Sequence, residues 1–399
     1  MIGATEAVPS VEDAGAIIIV VANEAGGISR RSLLTSGGIA ALGTALAGCA
    51  PAEQVPRDPV ADAVRPVVPT GEHQAGIARP AAVQPHLLLG VYDLDGGPVG
   101  VLARLGDSIL ALTSGDHPAL AGIAPGDLSV TVGVGPRLVQ QVVAEGPGTE
   151  PLPAFPREDI DERHRGGDLV IQVCASDPLV PPLALAGLLA DTSALTERWR
   201  QRGARGPSVA VRGDHTAPRN VLGFVDGIAA PISVDERAES VWIGQGAVAG
   251  ASIMVVRRME IDLAAFQRLP VEAQESAIGR ERASSAPLSG GAIGDDVDLQ
   301  AKSPDGKYLI PADAHVRRAH PRPAGVPLML RRSYSMDDPL GLLFVSFQAE
   351  LRTFTQTMER MSESDALLDF TLTTATGAFL ALPGFDAQHP LGSTIFGAA

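Results

Sequence analysis

Only two cysteines, Cys49 and Cys174, occur among 399 residues, so no disulfide framework holds this chain together. It has no CxxC, HExxH, P-loop or GxSxG pattern. Zinc hydrolysis, nucleotide hydrolysis and the serine-hydrolase elbow therefore lack their usual residues. Positive charge is scarce: 31 Lys and Arg stand against 46 Asp and Glu, a formal net charge of −15. A nucleic-acid partner, which needs a basic surface, is not expected. After the N-terminal segment, no run reaches the ~20 apolar residues that cross a bilayer.

What is present is a 45% apolar chain with 44 Gly and 32 Pro, the composition of a folded body with many turns. Its length suggests about two domains. Ser29 to Ala50 read SRRSLLTSGGIAALGTALAGCA. Arg30 and Arg31, a weakly apolar Gly/Ala run and a small-residue site resemble a twin-arginine (Tat) export signal, which carries folded proteins. LAGC at Leu46 to Cys49 resembles a lipobox, whose cysteine is lipidated and becomes the mature N-terminus. Residues 1–49 are thus expected to be an address, extracytoplasmic in destination, and 50–70 a Pro-rich tether.

PHLLLGVYDL from Pro85, LSVTVGVGP at 128–136 and DLVIQVCAS at 168–176 have strand character. LVPPLALAGLLADTSALTERW is a broken apolar segment that ends in helical spacing. The second half repeats the order: ASIMVVRRMEI, the helical DLAAFQRLPVEAQESAIGRE with a Pro break, GLLFVSFQAEL, and the helical TFTQTMERMSESDALLDFT. An α+β arrangement follows, with two similar sheets and helices on one side. The expected domains are 71–215 and 216–399.

Cys174 lies in an apolar strand, where a free cysteine is usually a small buried hydrophobe. In LGFVDGIAAP, Gly223 and Gly227 flank Asp226; its carboxylate either caps a turn or carries a tuned pKa in a cleft. DAHVRRAHPR at 313–322 holds two of the eight histidines, His315 and His320, among Arg317, Arg318 and Arg322. Their spacing does not rank them, because residues five apart do not share a helical face. The chain continues into LMLRRSYSM with Arg331 and Arg332.

Taken together, GEHQAGIARP, GGDLVIQVCASD, LGFVDGIAAP, DAHVRRAHPR, LMLRRSYS, LLFVSFQAEL and GAFLALPGF resemble the dye-decolourising (DyP-type) haem peroxidases, in their Tat-exported deferrochelatase/peroxidase branch. The resemblance spans nearly the whole chain after the signal. It implies two ferredoxin-like domains with antiparallel sheets, as in the dimeric α+β barrel superfamily, and a b-type haem (heme b) in the C-terminal half. By position, it makes His315 the iron ligand, Asp226 the acid on the peroxide side and Arg331 its arginine. It places Glu350 on the other nitrogen of His315, Gly223, Phe224 and Gly227 against the haem, and Arg317 on a haem propionate. Tyr334 is read as a packing residue.

The implied activity is peroxide reduction through a ferryl intermediate, with oxidation of dyes, phenolics or another one-electron donor. The alternative is a deferrochelatase that releases iron from haem at the cell surface. Hydrogen peroxide, a dye-like reductant, a lipid anchor at Cys49, a homodimer and iron-uptake proteins are the implied partners. The chain departs from the family pattern at Ile228 and Ala230, where polar residues are usual, and at His320, where the exported branch usually has Asn. The stretch after Gly106 reads as a loop where relatives carry a helix.

Overall fold

Residues 64–397 are described in a computed structural model of the chain. Arg30, Arg31, Cys49 and most of the 50–70 tether lie outside the described residues, and 64–70 carry no helix or strand. The strands are β1 (His86–Leu94), β2 (Ser129–Val134), β3 (Leu169–Ala175), β4 (Leu195–Ala204), β5 (Ser208–Arg212), β6 (His215–Pro218), β7 (Ser252–Ile261), β8 (Leu330–Arg331), β9 (Tyr334–Asp337), β10 (Leu340–Gln348) and β11 (Thr371–Ala381).

β1 to β4, with helices Pro98–Ser114 and Val180–Ala190, form a β-α-β-β-α-β unit in the spatial order β4-β1-β3-β2. β7, β9, β10 and β11, with helices Val271–Ile278 and Leu351–Ser364, repeat that order as β11-β7-β10-β9. This is the ferredoxin-like arrangement twice, as expected. β11 joins β2 through Leu380–Val134 and Ala381–Gly133, and β9 joins β4 through Ala204–Ser335. Because β7 also pairs with β10, the sheet closes on itself.

Strand side chains alternate between the two faces, and here both faces are buried. Leu87, Leu89 and Val91 of β1, Met254 and Val256 of β7, and Leu343, Val345 and Phe347 of β10 fill the interior. Leu88, Ile253 and Val255 pack outward against the helices. This double burial explains why these strands read as near-continuous apolar runs. Cys174 is 2% exposed in the interior, and burial pushes its thiol up to about 11.

Two expectations are overturned. Asp107–Ser114 is helix, not loop: Leu105, Ile109 and Leu112 continue the apolar stripe of the helix that begins at Pro98. Gly115, at φ 85°, ends it in the left-handed region that suits glycine. The TSALTERW stretch carries β4 rather than helix, because Trp199, Gln201 and Gly203 alternate inward with period two. The expected domain limit at 215/216 falls inside β6, so the β5–β6 hairpin is the connection between the two units.

One buried ion pair pins the 155–165 segment to the second unit. Arg257, 2% exposed, donates to Glu158 (2.8 Å), Thr373 Oγ1 (2.9 Å) and Thr376 Oγ1 (3.3 Å). Glu158→Ala strands that guanidinium in the core. Urea unfolding of the variant is expected to show a loss of about 3–5 kcal/mol.

Candidate active site

The GFVDG turn is fixed before Asp226 is reached. Asn220 Oδ1 accepts the Leu222 N–H (3.0 Å), and Asn220 O accepts that of Gly223 (2.9 Å). Gly223 sits at φ 88°, a left-handed conformation that favours glycine, and a Cβ there would displace the Arg282 guanidinium, 2.9 Å away at Nε. Arg219 donates to the carbonyls of Gly223 (2.8 Å), Arg282 (2.7 Å) and Ala283 (2.8 Å). On the far side, Asp226 N–H donates to Pro218 O (2.9 Å) and His215 Nε2 to Gly227 O (2.8 Å). The backbone of Asp226 is held from both ends while its carboxylate makes no hydrogen bond among the described residues.

Arg331 comes from β8, anchored by its pairing with Ser346 of β10. Strand alternation sends the next residue the opposite way: Arg332 is 4% exposed inside the barrel, reaching the carbonyls of Gly76 (3.3 Å) and Pro80, and burial lowers its pKa to about 10. Arg331 Nη2 stands 4.0 Å from Asp226 Oδ1, beyond hydrogen-bond reach. Both side chains remain partly open, at 26% and 29% exposure.

His315 starts the short helix His315–Arg318. Its Nδ1 lies 2.8 Å from Asp365 Oδ2, and the Asp365 side chain is fully buried. The other Asp365 oxygen accepts the Leu367 N–H (2.9 Å) at the turn after the Leu351–Ser364 helix. A carboxylate on Nδ1 makes that nitrogen the donor and leaves Nε2 with a lone pair for a metal. Burial opposes the charged imidazolium, yet the charge and hydrogen bond of Asp365 outweigh it and raise the His315 pKa. Asp226 also raises it and Arg331 lowers it, which places that pair within electrostatic reach of the ring.

An acid on His315 Nδ1, with a carboxylate and a guanidinium within electrostatic reach of the ring, is an arrangement compatible with a metal-binding histidine beside an acid–base pair. The Dyp-type peroxidase N-terminal family profile matches residues 74–205, and the C-terminal one matches 217–386. The chain belongs to the Dyp-type peroxidase family. It is 33% identical over 297 residues to the dye-decolorizing peroxidase of Thermobifida fusca, covering 69% of each chain. It is 31% identical over 367 residues to the deferrochelatase of Escherichia coli, covering 82% of this chain and 86% of that one. Among solved structures, the oxyferrous complex of DtpA from Streptomyces lividans superposes with a TM-score of 0.76 at 28% identity, covering 84% of this chain and 98% of that one. The DyP-type peroxidase from Cellulomonas bogoriensis gives 0.74 at 31% identity, covering 84% and 99%.

Within this Dyp-type fold, Asp226 and Arg331 stand side by side and lie within electrostatic reach of His315, whereas three other expected placements are not found. Glu350 does not touch His315; it stands at the N-cap position of the Leu351–Ser364 helix without a capping hydrogen bond, 54% exposed, and pairs with Arg352. Arg317 does not await a propionate. Its guanidinium donates to the carbonyls of Leu299 (2.9 Å), Ile310 (2.8 Å) and Pro311 (3.0 Å) and lies 4.6 Å over the Tyr308 ring. Phe224 is 3% exposed and packs edge-on against Phe266 in a core cluster, so it does not line the site.

The departures from the family pattern also find their places. Ile228 packs with Val211, Ala217 and Val225 against the hairpin, and Ala230 is buried beside it. His320 caps a short helix through the Arg322 N–H (3.2 Å) and faces Asp296 at 3.3 Å. Tyr334 is a buried interior residue whose hydroxyl donates to Gln84 O (3.0 Å). Asp365 was absent from the sequence reading; its only signal is an acid beginning a new turn directly after a helix.

Because Asp365 holds the His315 pKa above its usual 6.5, their pairing stabilises the cofactor-free chain at low pH and is lost as pH rises through the folded value. Asp365→Asn is expected to move the His315 titration to lower pH, and Glu350→Gln to leave it in place. Proton NMR of the imidazole Cε1–H in the cofactor-free chain reads both.

Proposed function

We propose that this chain is a haem-dependent peroxidase that reduces hydrogen peroxide and draws single electrons from dyes, phenolics or a similar donor. The observation that carries this is His315: Nδ1 tied to a buried acid, a side chain 32% exposed, and a ring within electrostatic reach of an Asp226–Arg331 pair that no hydrogen bond closes. These residues fit a b-type haem held through His315 Nε2. When bound, haem supplies the iron centre at which peroxide is split.

The chain's own residues supply the rest. Asp365 keeps the proton on His315 Nδ1 and strengthens Nε2 as a donor. Asp226 takes a proton from one peroxide oxygen and returns it to the other, which makes water the leaving product. Arg331 stabilises the negative charge that builds on the departing oxygen. The turn around Gly223 and Gly227 keeps the carboxylate in place through these transfers. The Arg317 contacts with the carbonyls of Leu299, Ile310 and Pro311 support a part in holding the 299–311 loop next to His315 in the chain.

Export by the Tat route is supported by Arg30 and Arg31, and a lipid anchor at Cys49 by the LAGC stretch. Among the described residues no helix is long and apolar enough to cross a membrane, so such an anchor would be the attachment. A homodimer and iron-uptake partners rest on the family resemblance alone. The relative named deferrochelatase motivates the second reading, iron release from haem at the cell surface.

Spectra and turnover separate these readings. The purified chain is expected to show a Soret band that His315→Ala abolishes. Asp226→Ala is expected to keep the band and lose about 100-fold or more in peroxide-dependent dye oxidation at acid pH. Full turnover in that variant overturns the proton role, and metal-free porphyrin accumulating without peroxide favours iron release.

A further inference from the structure

Arg205 follows the last residue of β4, where Ala204 pairs with Ser335 and the Arg205 N–H donates to Pro85 O (2.8 Å). Its backbone is therefore fixed, but its side chain is not. The guanidinium lies over the Tyr334 ring, 5.4 Å from the centroid. Its Nε is shut off from solvent with no acceptor. Among the described residues, no carbonyl or carboxylate takes any of its side-chain N–H groups.

The same side chain lines a narrow cleft with Asn220, Asp226, Arg331 and Ser333. Arg331 likewise donates no hydrogen bond among the described residues, and its nearest carboxylate is Asp226 at 4.0 Å. Two guanidiniums thus face one carboxylate, an excess of one positive charge in a confined space. Partly buried cations without acceptors are costly, and a ligand is what supplies the acceptors. The cleft has room for about one water-sized group, and it opens to solvent past Arg331 and Asp226, which are 26% and 29% exposed.

We propose that Arg205 is the second cationic wall of this cleft, and that Arg205 and Arg331 together bind a small monovalent anion of one to three heavy atoms. The inference rests on reading the Asp226 side as the peroxide side. Hydrogen peroxide gives its proton to the Asp226 carboxylate: one peroxide O–H bond breaks, one carboxyl O–H bond forms, and no electrons move. The hydroperoxide anion left behind then lies between two guanidiniums rather than one, which favours its formation. Inorganic anions and formate of the same size compete for that place.

Formate titrated calorimetrically into the purified full-length chain, before and after haem is added, tests this. Without haem, formate is expected to bind the wild type and Arg205→Lys, and to bind Arg205→Gln about 10-fold more weakly or worse. Arg202→Gln, an exposed change on β4 three residues earlier, is expected to bind formate as the wild type does. With haem, Arg205→Gln is expected to lower kcat/KM for peroxide while the KM for the dye stays constant. No formate binding by the haem-free wild type overturns the proposal. So does an Arg205→Gln chain that binds formate normally but loses haem, which makes Arg205 a propionate anchor instead. If the purified chain takes up no haem yet binds formate through Arg205, the peroxidase reading fails and the anion site stands.

Discussion

The structure depends on a sheet that closes. β10 is the strand that makes this happen, because it pairs with β7, β9 and β8. Closure leaves the principal strands without an open edge that could pair with another chain. It also dictates where function can sit. The interior is filled by Leu, Val, Met and Phe side chains, so no cofactor fits there. The reactive groups instead come from what the closed sheet carries on its outside: the GFVDG turn, the short β8 strand and the loop that ends at His315.

Each of those three segments is weak as secondary structure, and each is held by a specific contact in place of a regular ladder. The turn is held by Arg219 and Asn220, β8 by two rungs on β10, and His315 by Asp365. This division explains how irregular backbone stays precise enough for chemistry. A rigid closed sheet sets the distances between segments, and single charge-assisted hydrogen bonds set the orientation within them. Asp365 is the strictest case. Its two oxygens serve His315 and the Leu367 N–H, so the carboxylate cannot turn away from the imidazole without freeing a half-buried backbone donor.

Local pattern made β1, β2, β3, β7 and β10 legible in the sequence, since buried strands write themselves as apolar runs. β4 was misread because its outward face is charged, with Glu197, Arg200 and Arg202 interrupting the apolar signal. The site was legible to the extent that motif order carries it: Asp226, Arg331 and His315 stand in motifs whose sequence does not change with folding. Asp365 was not legible, because fifty positions separate it from His315 and only the packing of the Leu351–Ser364 helix brings them together. Glu350 was the plausible acid by position in the chain, but it lies at the other end of that helix, facing solvent.

The arginines show why residue type and neighbourhood in sequence do not settle a role. Arg317, Arg318 and Arg322 stand beside His315 in the chain, yet all three have partners: Arg317 three loop carbonyls, Arg318 Arg360 O, Arg322 Asp296. Arg331 and Arg205 stand far from it in sequence and have no such partners. A guanidinium already held by carbonyls or carboxylates of the protein has a structural role, because redirecting it leaves those acceptors unpaired. One whose N–H groups are unsatisfied in a cleft is available to a ligand. The histidine motif names His315, whereas unmet hydrogen-bonding capacity, visible only in three dimensions, singles out Arg331 and Arg205 as the guanidiniums open to a ligand.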